Sequence, residues 1–97
     1  MLRIHPQARY EFFQATLYYR NRSPQTATRF IDEVERSLRL ISEFPLRYQV
    51  YQKRYRKKVI TRYPYGIFYR VSSNEVFVLA IYHSSRKPNR WMKRDKE

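Results

Sequence analysis

The sequence predicts an α+β fold in the order β-α-α-β-β-β: a two-helix hairpin packed on a mostly antiparallel sheet of about four strands, residues 1–97 forming one domain. Three observations predict it. Apolar residues recur at helical spacing in the first half, a short polar link joins the two helical stretches, and three strand-like runs with short connections fill the second half.

The element "LRIH" (2–5) reads as a short first strand, and Pro6 stands where a helix could begin. Ala8, Phe12, Ala15 and Tyr19 then fall at steps of four, three and four, which puts them on one face of a helix from about Pro6 to Tyr19. In "RNRSP", Ser23 can cap a second helix through its hydroxyl, and Pro24 suits the first helical position, where a missing N–H costs nothing. Ala27, Ile31, Val34, Leu38 and Ile41 continue as a heptad-like stripe along about 20 residues, roughly 30 Å of helix. Asp32 with Arg36 and Glu35 with Arg39 are placed for i,i+4 ion pairs on the outer side. The short link forces the two helices antiparallel.

"EFPLRY" ends the second helix. "RKKVITRY", "YGIFYRVS" and "EVFVLAIYH" are rich in Val, Ile, Phe and Tyr and are separated by "YPYG" and "SSNE", so three antiparallel strands are expected. Ile67, Tyr69 and Val71 share one face of the middle strand, and Phe68 and Arg70 share the other. The last strand is apolar on both faces and should lie inside the sheet.

Charge is the strongest compositional signal. The chain carries a net +13, divided as 7 Lys+Arg against 5 Asp+Glu through Leu46 and 14 against 3 from Arg47 onward. Such a half attracts polyanions or an acidic protein surface. There is no cysteine, hence no disulfide framework or thiolate metal site. Neither a secretory leader nor a membrane-spanning run is evident, which makes the cytoplasm the expected location with no membrane partner. No phosphate-binding glycine loop, His/Cys metal spacing or Ser-His-Asp arrangement is present, so neither a metal nor a nucleotide cofactor is indicated.

The stretch "AIYHSSRKPNRWMKR" (80–94) holds the candidate site. His83 reads first as a strand-end residue with a structural hydrogen bond, and second as the titrating group of a metal-free RNA cleavage. In that second reading Arg56, Lys57, Lys58 and Arg86 would hold the phosphate and Tyr82 would offer a hydroxyl. Arg86 is balanced between a functional role and stacking on Trp91. Trp91 itself reads first as packing for the tail, and His5, beside Pro6, as structural. The wider candidate surface comprises Arg54, Arg56, Lys57, Lys58, Arg62, Arg86, Arg90, Trp91, Lys93 and Arg94. Tyrosines interleaved with cations suggest stacking on single-stranded nucleic acid, with Tyr48, Tyr51 and Tyr55 expected to be the more exposed.

Three stretches in order resemble the RelE/ParE toxins of bacterial toxin–antitoxin pairs: "SPQTATRFIDEVERSLRLISEFP", "VITRYPYGIFYRV" and "VLAIYHSSRKPNRW". The resemblance covers nearly the whole chain. It implies a small toxin neutralised by an antitoxin that wraps it, acting either on DNA gyrase (the ParE-like branch) or as a ribosome-dependent mRNA endonuclease (the RelE-like branch). Gly66 stands where RelE-type nucleases carry an arginine, Arg86 matches a second arginine only after a shift, and no late tyrosine follows Trp91. The S-P-x-x-A-x-x-F pattern from Ser23 to Phe30 and the H-x-x-R-x-P-x-x-W pattern from His83 to Trp91 favour the ParE-like branch, with His83, Arg86 and Lys57 as the catalytic set if the chain is instead a nuclease. A basic nucleic-acid-binding module without toxic action is the remaining alternative.

Overall fold

The computed structural model describes residues 1–87 and 89–96. Helix α1 runs Pro6–Arg20 and α2 runs Pro24–Glu43, each opening on proline. The α1 cap is His5, whose Nδ1 accepts the Gln7 N–H at 3.0 Å; the α2 cap is Ser23, whose Oγ accepts the Thr26 N–H at 3.0 Å. Both helices therefore start where the sequence places them.

The inner face of α2 differs in detail from the expected stripe. Phe30 and Ser37 are buried with Ala27, Val34, Leu38 and Ile41, while Ile31 is only half-buried. The face is rotated because Phe30 turns in to meet Tyr19, Tyr63 and Tyr65, with ring centroids 4.8 to 5.5 Å apart. The Asp32–Arg36 expectation gives way as well, since Arg36 approaches Glu33 at 3.9 Å.

The sheet has five strands, β1 (Leu2–Ile4), β2 (Val50–Gln52), β3 (Tyr55–Val59), β4 (Tyr65–Ser72) and β5 (Glu75–His83), in the order β1-β5-β4-β3-β2. β1 runs parallel to β5 and the other pairs are antiparallel. The extra strand is β2. It joins β3 through a two-residue link in which Lys53 takes a left-handed φ of 53°, a turn usually announced by Gly or Asn. With lysine in that place, the sequence reads as a continuous run of tyrosines and cations.

β5 lies between β1 and β4 and is buried from Val76 to Tyr82, in line with its apolar character on both faces. One sheet face packs on the helices through Ile67, Tyr69, Val76, Val78 and Ile81 against Ala8, Ala15, Phe30, Val34 and Ile41. The opposite face, carrying Tyr55, Phe68, Phe77, Leu79 and Tyr82, is covered by Trp91 from a short 3-10 helix, Arg90–Arg94. The tail is thus a third layer of the fold. No helix among the described residues is long and apolar enough to cross a membrane.

Candidate functional site

The site forms where β5 leaves the sheet. His83, opposite Tyr65 in β4, stands edge-on to that ring at 5.1 Å. Its Nδ1 accepts the Ser85 N–H at 3.0 Å and also lies 2.8 Å from the Ser85 hydroxyl. Because a backbone N–H can only donate, the neutral imidazole carries its hydrogen on Nε2. The ring is therefore set to donate from its outer nitrogen.

Arg86 follows in the turn. Its guanidinium lies over Tyr82, 4.0 Å from the ring centroid, and donates to Glu11 Oε2 at 3.0 Å. Lys57 comes from β3, its ammonium 5.5 Å from the Phe68 centroid and 5.8 Å from that of Tyr51. Lys57, Tyr82, His83 and Arg86 line one hollow of about 240 Å³ on the outer face of the sheet. Gly66 forms its floor. A Cβ at that position would come within 3.0 Å of Lys57 Cε, so Lys57 lies across the space that a side chain at 66 would fill.

The other sequence candidates go elsewhere. Arg62, with φ 72°, borders a separate hollow with Arg29, Asp32, Glu33 and Arg36. Arg56 donates to the Tyr48 carbonyl at 2.7 Å. Lys58 is only 8% exposed, 5.1 Å from the Tyr48 ring centroid, and burial lowers its pKa from the ordinary 10.5, with Arg36 adding to the shift. Arg56 and Lys58 are thus both held against Tyr48. Arg90 and Lys93 are exposed at successive turns of the 3-10 helix.

One expectation about aromatics is corrected, and the packing role read first for Trp91 is the one observed. Tyr55 is 8% exposed and Tyr51 is half-buried because the outer sheet face that would have presented them is roofed by the tail, and Tyr48 is half-buried against the helix-side core. Trp91 is that roof: it is fully buried, with Phe68 at 4.8 Å and Tyr55 at 5.0 Å between ring centroids. It cannot contact a base or a partner directly. The exposed tyrosines are instead Tyr10 and Tyr18 of α1, at 57% and 51%.

Two carboxylates that the sequence reading did not single out organise this region. Glu11 accepts from the Ile81 N–H at 3.0 Å, from Arg86, and twice from Arg94 at 2.6 and 3.0 Å. Asp95, its side chain fully buried, accepts at Oδ2 from Arg54 and Arg70 at 2.7 Å each and from the Tyr55 hydroxyl at 3.0 Å. The signal for Glu11 was its place on the inward stripe between Ala8 and Ala15, where a carboxylate must find donors. For Asp95 it was the first acid after Glu75, standing directly behind the basic run "MKR". No group of His, Asp and Glu suited to hold a metal ion occurs among the described residues.

A helical hairpin on one face of the sheet, a tail on the other and a basic hollow at the strand end define a small, basic, three-layered α+β domain. The arrangement is similar to a chain of the chromosomal ParDE TA system from P. aeruginosa, with a TM-score of 0.75 at 15% identity, covering 84% of this chain and 92% of that one. No curated protein sequence matches. The family model described as the ParE toxin of type II toxin-antitoxin system, parDE, matches residues 2–88, and the chain belongs to that family.

Proposed function

We propose that the protein is a growth-inhibiting toxin of a type II toxin–antitoxin pair, neutralised by a cognate antitoxin, and that it acts in the cytoplasm by binding DNA gyrase rather than by cutting RNA. Family membership over residues 2–88 supports the toxin role. One observation favours binding over chemistry: the titrating group best placed for catalysis is already tied. His83 Nδ1 is held by Ser85, leaving a hydrogen on Nε2 where a general base needs a lone pair.

The antitoxin fits the apolar groove between α1 and α2, about 440 Å³, lined by Phe12, Phe13, Ile31 and Leu38. Phe13 is 56% exposed there. An amphipathic helix would bury such side chains, and its acidic residues would answer the net charge of +13.

The mRNA endonuclease reading keeps one observation in its favour, the convergence of Lys57, Tyr82, His83 and Arg86 on a single hollow. One comparison separates the two. The wild-type chain and His83→Ala are each tested for growth arrest, for inhibition of gyrase supercoiling, and for cleavage of a defined mRNA in a reconstituted translation reaction. The expected result is gyrase inhibition and growth arrest retained in both chains, with no cuts. Ribosome-dependent cuts that vanish in His83→Ala would overturn the gyrase reading.

A further inference from the structure

Helix α1 carries aromatic side chains that the core does not use. Ala8, Phe12, Ala15 and Tyr19 pack inward, whereas Tyr10 and Tyr18 stand more than half exposed along another side. Gln7, Tyr10, Gln14 and Tyr18 recur at steps of three, four and four, forming a second stripe. This stripe is one wall of a cleft of about 770 Å³ between α1 and the end of β5. The facing wall carries Tyr65, His83, Arg86 and Arg94, and Arg22 closes one end.

The chemistry of this cleft differs from that of the groove on the other side of α1. That groove is walled by Phe12, Phe13, Ile31 and Leu38 and suits an apolar helix face. The cleft offers two exposed phenol rings, one of which, Tyr18, has the Arg22 guanidinium 4.9 Å from its centroid, together with two carboxamides and the guanidinium groups of Arg22 and Arg86; Arg94 is taken up by Glu11 and the Leu79 carbonyl. Its one carboxylate, Glu11, is already matched by Arg86 and Arg94 and does not repel an anion. Arg86 gives Glu11 an N–H from NH1 and remains 47% exposed, so donors of its fork still face the cleft.

We propose that the cleft between α1 and the end of β5 binds a short stretch of single-stranded nucleic acid, with bases stacked on Tyr10 and Tyr18 and phosphates held by Arg22 and Arg86. Tyr10 and Tyr18 are eight residues apart, about 12 Å along the helix, which is the span of a few nucleotides. Unpaired bases present faces to stack on and edges for Gln7 and Gln14 to hydrogen-bond. A duplex keeps its base faces inside and would offer this cleft only phosphate. The sequence signal for stacking tyrosines is thereby moved from β2 and β3 to α1.

The test uses the purified intact chain and a labelled oligothymidylate of about ten nucleotides, followed by fluorescence anisotropy. It needs neither gyrase nor a growth readout, so its outcome stands apart from the toxin reading. Tyr10→Ser combined with Tyr18→Ser should weaken binding about tenfold or more. Arg90→Gln combined with Lys93→Gln, which removes two charges from the exposed tail, should weaken it by a smaller factor. A matched duplex should compete poorly. Unchanged affinity in the tyrosine variant, or equal competition by duplex, would overturn the proposal. So would tighter binding of a polyglutamate peptide that the tyrosine variant also loses, because the cleft would then belong to an acidic protein segment.

Discussion

Asp95 draws three donors from three parts of the chain onto one oxygen: Arg54 from the β2–β3 link, Tyr55 from β3 and Arg70 from β4. Neither its side chain nor that of Arg70 is appreciably exposed, at 0% and 1%. Removing one charge of such a pair leaves the other buried without compensation, a loss of about 3–5 kcal/mol. Asp95→Ala should therefore lower the urea midpoint steeply. Replacing both members, Arg70→Met with Asp95→Leu, should restore much of the loss. If the double variant proves as unstable as the single one, the pair does not govern the tail. This contact was not legible from composition, in which Arg70 was one cation among many: alternation put it beside Phe68 on the outer face, and only the tail's return over that face makes the face an interior.

Elements with a strong period were legible, and those defined by an unusual turn were not. Both helices begin on prolines after capping residues, and β4 and β5 match the sequence runs "YGIFYRVS" and "EVFVLAIYH". β2 was hidden because its turn uses the left-handed Lys53. Of the candidate site, the meeting of Lys57 with His83 and Arg86 follows from strand pairing, but Glu11 could be paired with Arg86 and Arg94 only through contacts 75 and 83 residues apart. The α1 cap gives this element a pH dependence. Burial lowers the His5 pKa from 6.5, Arg94 and Arg3 add to the shift and Glu11 opposes it, while Nδ1 must stay unprotonated to accept the Gln7 N–H. The folded state thus holds the proton less tightly than the unfolded chain. The cap's contribution is complete above pH 6.5 and is lost as pH falls through the lower folded value. The denaturation midpoint should decline below about pH 6.5. The decline should flatten in His5→Asn, which still caps. An identical pH profile in that variant would assign the dependence elsewhere.

At the scale of the molecule, a net +13 sets exposed cations against one another, while the most buried ion pairs are shielded from solvent. Raising salt from about 0.05 to 0.5 M should screen the repulsion more than the internal pairs and so raise the melting temperature. A fall would mean that exposed pairs such as Arg3 with Glu75 dominate. The order in which the chain is made adds a consequence of the same tail. Arg70 is synthesised 25 residues before its counter-ion, and Glu11 precedes Arg94 by 83. A nascent chain that has completed β5 but not the tail lacks both the Asp95 carboxylate that Arg70 meets and the Trp91 indole that roofs the sheet. The native fold therefore closes only after the tail has left the ribosome, and a translating chain carries the sheet without the finished protein.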